Sequence, residues 1–166
     1  MDIEGFGEQR VRLFLDLGLI ADIADVYFFL DPNDHAFATT TEAGIAEVAV
    51  AADGTLTRVR DWPIASYLPA DDCLVATGVD WAGRLWWFSQ QGVVGTLDRA
   101  SGAVHALTLG EGEGIFNSIS TDETGGVYVV STHQTYRLDA DEQGVPQLTW
   151  AIPYDRGSVK KPGMLS

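Results

Sequence analysis

Enzyme and metal chemistry needs histidine, cysteine, carboxylate or amide side chains at spacings that let them converge, and this sequence offers few. Its three histidines, His35, His105 and His133, share no spacing that would face one metal ion, so they read as surface residues. The single cysteine, Cys73, cannot form an internal disulfide or a thiolate zinc site alone; its apolar neighbours predict a buried, inert thiol. The stretch Gly110-Glu111-Gly112-Glu113-Gly114 has the glycines of a phosphate cradle but carboxylates where a lysine is needed, and reads as a solvated loop. No nucleophile elbow, phosphate loop or zinc spacing occurs. One candidate remains from residue type and position: Trp81 follows Asp80 in a turn and is the tryptophan most open to a ligand.

What could position those residues is legible in repeats. Gly83-Arg84-Leu85-Trp86-Trp87-Phe88 returns 42 positions later as Gly125-Gly126-Val127-Tyr128-Val129-Val130, with Asp80 falling on Asp122 and Gly102 on Gly144. A fainter copy, Asp34-His35-Ala36-Phe37-Ala38-Thr39, stands 49 positions before Gly83. Each copy divides into four short runs separated by turn residues: 26–30, 36–40, 45–51 and 56–59; 73–79, 85–89, 93–97 and 104–109; 115–121, 127–131, 135–138 and 147–152. The second runs, Leu85-Trp86-Trp87-Phe88 and Val127-Tyr128-Val129-Val130, are apolar on both faces, so both faces must be covered. Four-stranded antiparallel sheets packed face to face around an axis meet that demand, which predicts an all-β chain of β-propeller blades at 26–63, 73–109 and 115–152. Residues 1–25, with Val11, Leu13, Leu15, Leu17 and Leu19 alternating, are assigned to a strand of a flanking blade, and 153–166 to an irregular tail. Three blades are fewer than a propeller closes with, so the chain reads as a segment of a larger propeller with exposed blade faces able to self-associate. Asp80 and Asp122 recur as turn-forming residues, and Trp86 and Trp87 point to opposite faces.

The pattern from Thr96-Leu97-Asp98 through Ser101-Gly102, repeated from Leu138-Asp139 through Gly144 to Trp150, resembles the turn of quinoprotein-type (PQQ-like) propeller repeats. That resemblance implies a propeller with tryptophan docked between blades; the vicinal cysteine pair of the quinone-dependent enzymes is missing, which argues against PQQ. Locally, Phe116-Asn117-Ser118-Ile119-Ser120-Thr121-Asp122 followed by Gly125-Gly126-Val127 resembles gluconolactonase-type propellers. That likeness implies a divalent ion such as calcium over the channel, with Asn117 as one ligand, polarising a lactone carbonyl and activating water.

Composition narrows the rest. With 24 acidic against 10 basic residues the formal net charge is -14, which repels nucleic acid and anionic membranes, and 46% hydrophobic residues suffice for a core. No apolar run reaches a membrane span and no positively charged leader opens the sequence, so it reads as soluble. The leading expectation is a propeller binding or scaffold module without catalysis of its own, meeting a protein partner or small molecule at the channel mouth. The alternatives are a metal-dependent lactonase-like hydrolase and an extracytoplasmic quinoprotein-like accessory protein.

Overall fold

The computed structural model describes residues 28–31, 33 and 35–155, and the alternating run 11–19 and most of the predicted tail lie outside them. The described chain is built from twelve strands in three four-stranded antiparallel meanders. The first sheet contains β1 (Phe28–Leu30), β2 (His35–Thr39), β3 (Gly44–Val50) and β4 (Leu56–Pro63). The second contains β5 (Leu74–Val79), β6 (Leu85–Ser89), β7 (Val93–Leu97) and β8 (Val104–Thr108). The third contains β9 (Ser120–Thr121), β10 (Val127–Val130), β11 (Gln134–Ala140) and β12 (Pro146–Pro153). A 3-10 turn at Ala65–Tyr67 links the first two sheets, and among the described residues no helix is long and apolar enough to cross a membrane. This is the blade architecture of a β-propeller.

The doubly apolar second strands drive the stacking. Trp87 faces the first sheet, in a core with Phe37, Ile45, Trp62, Ile64, Leu85 and Leu97, whereas Trp86 and Phe88 face the third, against Ile115, Val127, Val129, Tyr136 and Leu138. Trp86, Trp87 and Phe88 are all fully buried, so the middle sheet is sealed on both sides. We call the face that each sheet turns to its successor the front, and the opposite face the back.

Gly95 shows how tightly the layers are set. It pairs with Trp87 across the β6–β7 ladder, and a Cβ there would sit 2.0 Å from the indole, so only glycine lets that ring lie flat along its own sheet.

The short first strand of the third sheet departs from expectation. Instead of one strand over 115–121, the backbone makes an isolated bridge between Ile115 and Ser131, bends through 116–119, and pairs again only at Ser120–Thr121. The bend lies against the second sheet, where a Cβ on Gly78 would collide with the Ile119 side chain at 2.4 Å.

At the end of the sheets carrying the first-to-second and third-to-fourth strand turns, one device recurs. The Oδ1 of Asp80 accepts the backbone N–H groups of Ala82 and Arg84 at 3.0 and 2.9 Å while its Oδ2 accepts Trp86 Nε1 at 2.9 Å. Asp122 does the same with Thr124, Gly126 and the Tyr128 hydroxyl, at 2.9, 3.0 and 2.6 Å. Asp31 accepts Asn33 and His35 N–H groups at 2.8 and 3.0 Å, and Asp141 accepts those of Gln143 and Val145 at 3.0 and 2.9 Å. Each carboxylate closes a turn, and those of Asp80, Asp122 and Asp141 also accept a side-chain donor from their own sheet. The Tyr128 hydroxyl and the other donors hold Asp122 well below the usual carboxylate range.

Gly95→Ala is expected to destabilise the chain by about 1–3 kcal/mol, because the added methyl must displace a buried indole. Urea unfolding followed by tryptophan fluorescence measures it, and a loss below about 0.5 kcal/mol would mean that Trp87 repacks freely.

Candidate functional site

In an antiparallel meander the second-to-third turns and the loops between sheets fall at the same end, and the remaining turns fall at the other. Asn117, Cys73, His133 and the glycine loop therefore share one end, the loop end, while Trp81 and His35 lie at the opposite, aspartate end. Asn117 is exposed, as is Trp81 at 69%, but the two do not meet. His105 is on the outer strand β8, and His35 Nδ1 lies 2.5 Å from Glu47 Oε1.

A cleft of about 520 Å³ opens at the loop end between Gln90 and Gln91, the loop Gly112, Glu113 and Gly114, and Phe116 with Thr132. Its organising residue is Glu113. Contrary to the solvated loop expected from sequence, this side chain is buried, and its carboxylate accepts the Ser131 hydroxyl and, at 3.0 Å, the Gln134 Nε2. Ser131 Oγ in turn accepts the backbone N–H groups of His133 and Gln134, at 3.2 and 3.0 Å, so the turn after β10 is wrapped around the carboxylate. His133 Nδ1 stands 3.5 Å from the same group. Burial pushes the Glu113 carboxyl up, but the Ser131, Gln134 and Tyr136 hydrogen bonds outweigh it and hold the group at about 2. Burial and the Glu113 carboxylate push the Tyr136 phenol up to about 12. Gly92 is required here: its φ is +80°, and a Cβ would sit 2.5 Å from the Glu113 carbonyl oxygen.

The segment that contacts Gln90 and Gln91 from outside the cleft also differs from expectation. Cys73 is exposed, since it precedes β5 instead of lying within it, and its thiol donates to Gln90 Oε1 at 3.2 Å. Asp72 Oδ1 accepts the Cys73 and Gln91 N–H groups at 2.8 and 2.9 Å. The other carboxylate oxygen, Oδ2, is buried with no donor among the described residues, an acceptor that a solvent or ligand donor would satisfy. Across the cleft Phe116 is 54% exposed. The cleft thus presents an aromatic face and two amide side chains around a carboxylate that is already fully engaged.

A second cleft, about 490 Å³, lies at the aspartate end and includes Arg60, Arg84, Arg99, Glu47 and Asp98. Its arginines are spent within the fold: Arg99 Nη1 donates to Asp31 at 3.0 Å, Arg84 leans on Asp80 at 3.4 Å, and Arg60 donates to the Arg99 carbonyl oxygen. Between the inner strands a small groove of about 150 Å³, lined by Phe29, Thr77, Gly78 and Ile119, follows the axis of the blades.

Calcium takes roughly six to eight oxygens, usually with several carboxylates. Among the described residues no three histidine, cysteine or acidic side chains gather to hold a metal, and Asn117 stands between Phe116 and Ser118. The described donor set does not fit a calcium site. Glu113 and Asp72 escaped sequence reasoning because their burial depends on turns some 20 residues away; the signal available was that both stand just before the first run of a repeat.

No protein-family model matches the chain. Over 38 residues it is 42% identical to a DNA ligase of Rickettsia conorii, a stretch that covers 23% of this chain and 6% of that protein and is too short to carry a fold or a function. Solved structures are more informative. A protein from Lactobacillus plantarum matches with a TM-score of 0.65 at 15% identity, covering 82% of this chain and 44% of that one. Virginiamycin B lyase from Staphylococcus aureus matches at 0.55 and 15%, covering 79% and 43%. The β-propeller domain of Cps50 (Swd1) from Myceliophteria thermophila matches at 0.57 and 13%, covering 73% and 41%. These likenesses establish the propeller fold, and the chain spans less than half the length of the structures it matches.

Because the Glu113 carboxyl is depressed in the fold, it contributes stability above its unfolded value of 4.5, which is lost as pH falls toward about 2. Glu113→Gln is expected to be less stable than the parent at pH 7 and to show a flatter decline below pH 4.5, measured by urea unfolding across that window. Identical pH profiles would mean that the carboxylate is not held as described.

Proposed function

We propose that this chain is a β-propeller binding module without catalysis of its own, recognising its ligand or partner at the loop-end cleft with Gln90, Gln91, Phe116 and Asn117. The observation that carries the reading is Glu113. A general acid or base must exchange a proton near neutral pH, whereas this carboxylate is committed to Ser131 and Gln134 and held at about 2. Such a group shapes a cleft and does no proton transfer in it. The surrounding mixture of an exposed ring and neutral amides suits hydrogen-bonded recognition of a protein segment or small polar molecule. The matched scaffolds include a lyase and a Swd1 propeller domain, so fold alone favours neither catalysis nor binding. Trp81, at the other end, is a second proposed contact, on the strength of its 69% exposure.

The lactonase-like alternative needs a metal at Asn117 and supplies the test. Thermal unfolding with and without millimolar calcium is expected to be superimposable for the parent and for Asn117→Ala. A calcium-dependent rise in melting temperature that disappears in Asn117→Ala would replace the binding module with the metal-dependent hydrolase. Trp81→Ala should change stability by less than about 0.5 kcal/mol; a larger loss would assign the ring to packing instead of recognition.

A further inference from the structure

The cleft at the aspartate end gathers three of the five described arginines: Arg60 from β4, Arg84 where the chain enters β6, and Arg99 from the turn between β7 and β8. Holding the fold takes one nitrogen of each. Arg99 Nη1 donates to Asp31 at 3.0 Å, Arg60 Nη1 to the Arg99 carbonyl oxygen at 2.5 Å, and Arg84 Nη1 to Asp80 at 3.4 Å. A guanidinium carries five N–H donors, and Nε and Nη2 of all three meet no acceptor among the described residues. The Arg84 side chain is the least needed by the fold. Asp80 Oδ1 already accepts two backbone N–H groups, and its Oδ2 accepts Trp86 Nε1 at 2.9 Å.

The two carboxylates that line the cleft, Glu47 and Asp98, are engaged elsewhere. Arg60 stands opposite Glu47 in the β3–β4 register, yet Glu47 Oε1 lies 2.5 Å from His35 Nδ1 and forms no ion pair with Arg60. Asp98 Oδ1 accepts the N–H groups of Ala100 and Ser101 at 3.1 and 2.6 Å and the Ser101 hydroxyl at 2.7 Å. The ion pairs of Arg84 and Arg99 are with Asp80 and Asp31. Two of the guanidiniums also rest on rings, Arg60 at 5.3 Å from the centre of Trp62 and Arg99 at 5.1 Å from that of Phe37. A ring takes the flat face of a guanidinium, holds it in place and leaves its edge donors unused.

We infer that this cleft binds a small oxyanion ligand, whose phosphate or carboxylate oxygens accept the unused Nε and Nη2 donors of Arg60, Arg84 and Arg99. Planar guanidinium forks match the oxygens of both groups. A cleft of about 490 Å³ is of small-molecule size and exceeds what a bare inorganic ion needs. The net charge of -14 sets the length of the ligand. Charges more than about 8 Å apart are screened at physiological salt, so a compact anion responds first to the three guanidiniums around it. A nucleic-acid strand would run on over acidic surface and be repelled. The site lies at the end of the sheets opposite the loop-end cleft and takes ligands of a charge that the loop end does not, so it stands independently of the binding reading proposed above.

Calorimetric titration of the full chain with pyrophosphate and, separately, with citrate tests this, at fixed ionic strength and with potassium chloride as the blank. Saturable binding is expected, with backbone amide NMR shifts at Gly83, Arg84 and Ala100 while Gln90 and Gln91 stay still. Arg60→Gln with Arg84→Gln should weaken binding by about tenfold or more. Unchanged thermal melts establish that the variant folds, and Arg84→Gln alone serves if the double change does not. Tighter binding of pyrophosphate assigns a phosphoryl ligand and tighter binding of citrate a polycarboxylate, and either sustains the inference. Heats that never saturate, or that chloride reproduces, overturn it. So does binding that is indifferent to the substitutions, or that shifts only amides at the loop end.

Discussion

A β-strand whose side chains are apolar on both faces is stable only where each face meets another layer, and the rest of this structure depends on that constraint acting at β6. Trp86 and Trp87, adjacent in sequence, are buried in different cores. The middle sheet therefore cannot be an outer wall, and the chain must supply a sheet on each side. Since neighbouring sheets pack at a fixed separation of about 10 Å, bulky rings are tolerated only where the facing positions are small. Gly78 under Ile119 is such a position between sheets, and Gly95 makes room for the Trp87 indole within its own sheet. The cores are consequently intolerant of added volume where the sheets approach each other most closely.

The two ends of the stack are used differently. At the aspartate end, Asp31, Asp80 and Asp122 occupy equivalent turns and each Oδ1 serves two backbone donors, but the second oxygen is satisfied in different ways. Asp31 takes its donor from the next sheet through Arg99, whereas Asp80 and Asp122 are served from their own sheets by Trp86 and Tyr128. Both boundaries are packed by an apolar core; the first adds an ion pair between sheets, and the second the Thr96–Gly144 hydrogen bond. At the loop end no such repeated device appears. Its connections differ in length and composition from sheet to sheet, which is the usual condition of a surface that carries function on a rigid scaffold.

Much of the architecture was legible because it is local. The four-run pattern of each repeat, the opposition of Trp86 and Trp87, and the turn role of Asp80 and Asp122 follow from periodicity and from chemistry within about six residues. Asp31 was equally available, since it precedes Asp80 by 49 positions, the offset already visible at Asp34 and Gly83. The burial of Glu113 was not available, because it is created by Ser131 and Gln134, residues of a different turn. Cys73 was misplaced by one residue: counted inside the strand it would be buried, but β5 begins at Leu74 and the thiol opens to the surface. The separation of Trp81 from Asn117 follows from strand order alone, and a frame that distinguishes the two ends of a meander would have shown it.

Electrostatics ties the ends together. The described residues include five arginines and no lysine, and each arginine is occupied at a boundary or in a sheet: Arg58 with Asp61, Arg60 with the Arg99 carbonyl, Arg84 with Asp80, Arg99 with Asp31 and Arg137 with Asp139. None stands in a second-to-third turn or in a loop between sheets. The loop end is therefore left with Asp71, Asp72, Glu111 and Glu113 and no fixed cation among the described residues to balance them. An anionic ligand would enter that cleft against the field of a chain carrying a net charge of -14, with no guanidinium to receive it. A neutral or cationic group meets the opposite situation: the Gln90 and Gln91 amides accept and give hydrogen bonds, and the Phe116 ring offers a π face. The same scarcity of cations that engages each described arginine within or between sheets leaves the loop-end cleft without a guanidinium among the described residues.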